Sequence, residues 1–283
     1  MALPPGLALQ QPRALGLAPR TASQLWVGLA AGLHLLDRQS EQFTRWEPPA
    51  ELALADERLR AFTADGQGGV WFAQGDWILH VDTRGQLRQR LRVSAHPSAA
   101  DRAPAQLLVR SLLVDPGGRL WVGMSGGLQV WTLDPDGLGV RPDAALSALP
   151  VPRTTVFALV QDREGGVWIG LGDHQGLLQW RDDGQGLRRY QHQPAVPDSL
   201  ASDSVASLMI DRDGVLWVGS WGKGLSLADL RSGGFLRYHH VPGDERSLSG
   251  DSPMAFAPDD AEHVWVGIYG GGLNRLHLAS GDT

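Results

Sequence analysis

Apolar and polar positions follow a pattern along this chain that repeats six times. Each copy holds a four-residue apolar block with Trp at its second position; the six are Trp26, Trp71, Trp121, Trp168, Trp217 and Trp265. Their spacing ranges from 45 residues (Trp26 to Trp71) to 50 residues (Trp71 to Trp121). Short runs of β-branched and aromatic residues between turn residues favour strands, so the pattern predicts a β-repeat of near-constant length.

The fifth copy shows how one repeat is built. Residues 205–210 and 215–219 alternate as two strands, and Asp211 and Gly214 between them suit a type I turn closed by a left-handed glycine. A Gly-Leu pair at 224–225 begins a third strand, and residues 235–238 form a fourth. Four antiparallel strands make one propeller blade, so we predict an all-β fold, a β-propeller of six four-stranded antiparallel blades.

The turn residues recur in most copies. Copies two to four carry Asp65 and Gly68, Asp115 and Gly118, and Asp162 and Gly165 at the positions of Asp211 and Gly214. The first copy has Arg20 and Ser23 there, and the sixth has Asp259 and Glu262. We therefore expect looser turns in the first and sixth copies.

The innermost strand of each copy has one small residue followed by one large residue. The small residues are Gly16, Ala61, Ser111, Ala158, Ser207 and Ala255, and the large ones are Leu17, Phe62, Leu112, Leu159, Leu208 and Phe256. Successive side chains of a strand point to opposite faces. We expect the small residues to face a crowded central channel, and the large residues and the block Trps to pack between blades.

The six copies extend over residues 1–283, which we predict to be a single propeller domain. The sixth copy reaches residue 283 just after its third strand. Residues 7–10 precede the first inner strand, and we expect them to supply the outer strand of the sixth blade, because an unpaired strand edge is a liability.

Composition excludes several classes of function. The net charge is −6, which argues against a nucleic-acid partner. The absence of cysteine excludes disulfides, thiolate metal sites and cysteine nucleophiles. No apolar run approaches the ~20 residues that span a bilayer, so direct membrane insertion is not expected. The first residues, 1–11, are rich in proline and do not resemble a signal peptide.

Motifs for chemistry are weak in this sequence. Residues 219–224 resemble a phosphate loop but lack its leading glycine and its Ser or Thr. Residues 211–214 begin like a calcium loop, yet the twelfth position is Gly222 instead of Glu. His239 and His240 are adjacent on a strand and should point to opposite faces. We therefore predict no catalytic residues, no metal site and no cofactor.

The loops between the second and third strands differ most between copies and are the candidate binding surface. Trp221 and Tyr269 each lie four residues after their block Trp, and from adjacent blades they would form a stacking platform for a sugar or another flat polar ligand. Lys223, Asp173 and His174 would supply hydrogen bonds, and Trp77 lies in the corresponding loop of copy two. The alternative is that the two rings merely cap blade ends.

The repeat resembles the two-component regulator propeller repeat. The segments that carry the resemblance are PDSLASDSV at 197–205, DRDGVLWVG at 211–219 and GGGLNRL at 270–276. The resemblance implies a sensory input module on the periplasmic side of the inner membrane. Its kinase or diguanylate cyclase output would lie in other domains, and a homodimer would form through the full-length receptor. The family usually has seven blades, so six copies indicate either a fragment or a six-bladed variant.

Two functions remain open at this point. The first is a non-catalytic sensor that binds a small molecule or an oligosaccharide. The alternative is a propeller-fold carbohydrate-active enzyme, a polysaccharide lyase or a glycosidase. A cluster of His, Tyr, Arg or paired carboxylates on the loop face would favour the enzyme, and the sequence offers only a scattered set.

Overall fold

A computed structural model describes residues 14–49, 52, 58–93, 108–134, 139–184, 186–230 and 234–283 of the chain. The chain divides into two compact units, the first ending at Ala148 and the second beginning at Leu149. Antiparallel sheets fill both units, and the described residues contain one short helix. The predicted all-β propeller fold is therefore confirmed.

The first unit contains three four-stranded sheets, each a meander in chain order. The first has β1 (Ala14–Pro19), β2 (Gln24–Leu29), β3 (Gly32–Asp37) and β4 (Phe43–Arg45). The second has β5 (Leu59–Ala64), β6 (Val70–Gln74), β7 (Trp77–Val81) and β8 (Leu87–Arg92). The third has β9 (Val109–Asp115), β10 (Arg119–Met124), β11 (Gly127–Leu133) and β12 (Val140–Pro142), followed by helix α1 (Ala144–Ser147).

The second unit continues the same plan. Its first sheet has β13 (Val156–Gln161), β14 (Val167–Leu171), β15 (Leu177–Arg181) and β16 (Gly186–Tyr190). The next has β17 (Val205–Ile210), β18 (Val215–Ser220), β19 (Leu225–Asp229) and β20 (Leu236–Tyr238). The last has β21 (Pro253–Pro258), β22 (His263–Ile268) and β23 (Gly272–His277).

The sixth sheet has three strands within the described residues, whereas the other five sheets have four. The strand expected at residues 7–10 lies outside the described residues. Its pairing with the sixth blade and the single-domain assignment of residues 1–283 therefore stay predictions.

Four of the block Trps, Trp26, Trp71, Trp168 and Trp217, form the core between successive sheets within their unit, as predicted. Trp26 packs with Phe72 and Leu79 of the second sheet, and Trp217 packs with Val264 and Val266 of the sixth. Five of the six Trps have at most 3% of their surface exposed. The sixth, Trp265, is half-buried and lies beneath the guanidinium of Arg275, 6.0 Å from the ring centroid.

Two of the small residues of the inner strands, Gly16 and Ser207, do not behave as expected. The Phe62 ring covers Gly16 and Gly28 of the preceding blade, where an added Cβ would lie 2.7 and 3.0 Å from it. Ser207 is buried, and its hydroxyl donates to the Pro253 carbonyl oxygen of the next blade. Gly16 and Ser207 therefore contact the neighbouring blade instead of lining a channel. Phe62 and Phe256 confirm the large residues as packing between blades, but Leu17 is 64% exposed.

The turn glycines have the predicted left-handed backbone, with φ of 90° at Gly68, 74° at Gly118, 86° at Gly165 and 84° at Gly214. The looser geometry expected for the first and sixth turns stays a prediction. Both turns keep a closing hydrogen bond, from Arg20 N to Gln24 O and from Asp259 N to His263 O. Turn closure therefore does not depend on the Asp-Gly pair.

A carboxylate ties the turn to the core in the middle blades. The Trp121, Trp168 and Trp217 indole N–H groups donate to the Asp six residues earlier, at 2.8, 2.9 and 2.8 Å. In the second blade, His80 takes the place of the indole and binds Asp65 at 2.9 Å. Burial raises the pKa of Asp65, but hydrogen bonds from His80 and two backbone amides outweigh it, so the net pKa is lowered.

Candidate ligand-binding site

The loops between the second and third strands are anchored alike in the three blades of the second unit. The fourth residue after each block Trp donates its backbone N–H to the segment that leads into the inner strand. The bonds run from Gly172 to Thr155 O, from Trp221 to Ser204 O and from Tyr269 to Ser252 O, at 2.9, 3.0 and 2.9 Å. Equivalent residues therefore occupy equivalent places at one end of the blades.

This anchoring brings Trp221 and Tyr269 together, as the sequence predicted. Their ring centroids are 6.2 Å apart with an interplanar angle of 66°. The pair is edge-to-face, so the two rings do not form one flat platform. Tyr269 is 73% exposed and Trp221 is half-buried.

A third ring, which the sequence analysis missed, extends the pair. The Phe157 centroid lies 6.1 Å from that of Trp221, at an interplanar angle of 64°. The three rings form a row across blades four, five and six, which we call the aromatic row. Phe157 also covers Gly172, where an added Cβ would lie 2.7 Å from its ring.

A β-bulge places Phe157 in the aromatic row. Val156 pairs with Leu171 and Ala158 pairs with Gly170, so Phe157 between them has no partner. The same irregularity recurs in all six inner strands, where the skipped residues are Leu15, Arg60, Arg110, Phe157, Ala206 and Met254. Bulges re-aim side chains. The signal in the sequence was therefore the residue just before the small-residue column.

Asp173 and His174 border the aromatic row. Both have left-handed backbone, with φ of 49° and 58°, which is uncommon for residues other than glycine. The Asp173 carboxylate accepts from the Thr154 hydroxyl at 2.6 Å, and His174 Nδ1 lies 3.3 Å from Ser204 Oγ. Because the Ser204 carbonyl also accepts the Trp221 N–H, His174 and Trp221 are held by one residue.

Lys223 lies at a cavity of about 300 Å³, which we call the basic cavity. Its lining residues are Ala201, Gly222, Lys223, Arg237, His239 and Asp251. His240 is not part of the lining, and its ring binds the Leu248 carbonyl oxygen at 2.7 Å. His239 thus lines the cavity, whereas the His240 ring is bound by the backbone.

Trp77 does not join this site. It begins β7 in the first unit, packs on the core of the first two blades, and has the Arg90 and Arg92 guanidinium groups 6.0 and 5.9 Å from its ring centroid. Trp77 therefore has the surroundings of a residue that packs over a blade, and not those of a residue in the aromatic row.

The segments leading into β17 and β21 carry the same hydrogen bonds. Asp203 Oδ1 accepts from His192 N at 2.6 Å, and Asp251 Oδ1 accepts from His240 N at 2.7 Å. Ser199 and Ser247 each accept the backbone N–H six residues earlier, both at 2.9 Å. The Ser-Leu-x-x-Asp pattern of these segments is therefore structural.

Neither metal ligation nor a membrane span is found in the part of the chain that the structure describes. No group of three or more His, Cys, Asp or Glu side chains there could hold a metal ion. No helix of the described ranges has the length and apolar character to cross a bilayer.

Comparison with solved structures supports the fold. The extracellular domain of a hybrid two component system from B. thetaiotaomicron matches with a TM-score of 0.65 at 19% identity, covering 94% of this chain and 33% of that one. PorZ of the type-IX secretion system of Porphyromonas gingivalis gives 0.67 at 17%, covering 92% and 38%. Virginiamycin B lyase from Staphylococcus aureus gives 0.62 at 13%, covering 94% and 84%.

These identities establish similarity of fold alone, and the chain spans about a third of the two component system domain it matches. No curated protein matches this chain. Residues 199–222 match the two component regulator propeller family. This stretch joins the Ser-Leu-x-x-Asp segment to the Trp217 hairpin and ends in the loop that holds Trp221. The resemblance expected from the sequence is thus confirmed over residues 199–222, which are similar to the two component regulator propeller repeat.

Proposed function

We propose that this chain is a non-catalytic, ligand-binding propeller that serves as the input module of a bacterial signal-transduction receptor. The observation that carries the proposal is the aromatic row, bordered by Asp173 and His174, on loops held in place by repeated backbone hydrogen bonds. Aromatic side chains with a few placed polar groups are typical of small-molecule sites.

The signalling role rests on the repeat family and on the matched extracellular domains of two component systems. The same similarity supports our proposal that this propeller lies on the periplasmic side of the inner membrane. A kinase or cyclase would act from other domains of the receptor, and the receptor would dimerise as a whole.

The enzyme alternative is less well supported. A glycosidase needs two carboxyl groups that flank the scissile bond and are free to act. Around these loops, Asp203 and Asp251 accept backbone amides, and Asp173 accepts the Thr154 hydroxyl. These three carboxylates thus have structural partners.

Calorimetric titration with a panel of neutral and acidic oligosaccharides tests the proposal. Trp221→Ala and Tyr269→Ala should each weaken binding about 10- to 100-fold, as expected for the loss of a central aromatic contact. Leu236→Ala is the control, because Leu236 is 66% exposed on an outer strand. Unchanged affinity in folded Trp221→Ala and Tyr269→Ala variants would remove the aromatic row from the site.

A further inference from the structure

Blades four and five differ at one repeat position beside the basic cavity. Arg189 in blade four and Arg237 in blade five both precede the last Tyr of their outer strand. The loop residue before the third strand's glycine is Gln175 in blade four and Lys223 in blade five. In blade four the arginine and this loop residue bind each other: Arg189 donates to the Gln175 carbonyl at 2.8 and 3.0 Å, and to its side-chain oxygen.

The side-chain part of that closure cannot form in blade five, because an ammonium group has no acceptor to offer a guanidinium. Arg237 turns to the preceding segment, with Nε donating to Ser199 O at 2.9 Å and Nη2 to Ser199 Oγ and Val196 O at 2.8 and 3.1 Å. A cavity of about 300 Å³ remains where blade four is bridged.

Three side chains that line the basic cavity can donate hydrogen bonds to a ligand. Arg237 is fixed by three hydrogen bonds, while its Nη1, the Lys223 ammonium and the His239 ring make no hydrogen bond within the described ranges of the chain. Lys223 and Arg237 carry two positive charges against the single negative charge of Asp251. A guanidinium fixed by hydrogen bonds and an ammonium group that lines the same cavity both bind carboxylate.

The cavity also offers an acceptor. Asp251 uses Oδ1 for the His240 amide and its carbonyl oxygen for the Gly224 amide. Its carboxylate would accept a hydroxyl group but would repel a bare anion. The loop that brings Lys223 to the cavity also carries Trp221 of the aromatic row.

We infer that the basic cavity binds the carboxylate of an acidic sugar, with Lys223 and Arg237 on the anionic group and Asp251 on a hydroxyl. This inference rests on the proposed ligand-binding function and narrows its ligand to a uronic acid or a uronate-containing oligosaccharide. The cavity volume lies at the small end of the usual range for ligand sites, ~300–1,000 Å³, and suits one sugar residue.

Lys223 is the only lysine of the chain, which gives a direct probe. Reductive methylation with ¹³C-formaldehyde labels Lys223 and the terminal amine, and methylation keeps the positive charge. Titration with galacturonate should shift the Lys223 dimethyl NMR signal and saturate, whereas galactose and inorganic sulfate should leave it nearly unmoved. An equal response to sulfate would overturn the assignment of an acidic sugar, and no response to galacturonate would overturn the site.

The matched variants are Lys223→Gln and Lys223→Arg, titrated by calorimetry. Lys223→Gln installs the residue of blade four and should weaken galacturonate binding about 10- to 100-fold, as expected for a lost charge-assisted hydrogen bond. Lys223→Arg should retain most of the affinity. If a neutral oligosaccharide binds and Lys223→Gln changes nothing, the inference fails while the proposed function stands. If galacturonate binds and Trp221→Ala changes nothing, the cavity stands and the aromatic row fails.

Discussion

At the scale of single residues, the Asp that starts each middle turn links the hairpin to the core. Asp162 shows the fullest set of contacts. Its Oδ1 accepts the Gly166 amide at 2.6 Å, while Oδ2 accepts from Trp168, Gln179 and Arg181 at 2.9, 3.2 and 3.2 Å. The side chain has no exposed surface. A buried carboxylate with this many donors holds two strands and a turn together.

Replacing Asp162 by Ala should destabilise the protein by about 3–5 kcal/mol, because it leaves partners of a buried charge network without an acceptor. Asp213→Ala is the control. Asp213 lies exposed in the next blade's turn, so its loss should cost under about 0.5 kcal/mol. Urea unfolding gives both values, and equal midpoints for the two variants would show that the carboxylate does not lock the hairpin.

At the scale of the element, the hairpin turn depends on backbone conformation rather than on space. Gly214 has φ of 84°, and an added Cβ would meet no atom within 4 Å. The cost of a side chain there is therefore the left-handed backbone alone. The stability of a variant at position 214 should therefore follow how well the new residue tolerates positive φ.

The Gly214 series tests this reasoning. We expect Gly214→Asn to be mildest, Gly214→Ala to cost about 1–2 kcal/mol, and Gly214→Val to cost most, because a β-branched residue tolerates positive φ least. Thermal unfolding ranks the three variants. Equal melting temperatures for Gly214→Val and Gly214→Asn would mean that the turn relaxes to another conformation.

At the scale of the whole molecule, the sequence predicted the fold much further than the site. The block Trps and the strand alternation recur in each copy, and the turn glycines recur in copies two to five, so the repeats reinforce one another. The site uses what differs between copies. Trp221 and Tyr269 were found because they share a repeat position, but their edge-to-face angle depends on packing.

Phe157 was missed because its position, just before the small-residue column, becomes informative only once the structure shows that this position is bulged. The basic cavity was missed for a different reason. Lys223 and Arg237 are 14 positions apart and meet only because the outer strand returns beside the loop. The difference from Gln175 and Arg189 becomes meaningful once the hydrogen bonds of blade four are known.

We propose that the second unit binds a saccharide without transforming it. The most direct measurement is calorimetric titration of an acidic oligosaccharide, followed by mass spectrometry of the ligand recovered after prolonged incubation with stoichiometric protein. We expect saturable binding at one site per chain and recovery of the intact ligand. Shortened or unsaturated products that appear with the parent protein, and disappear with a variant of the loop face, would contradict it.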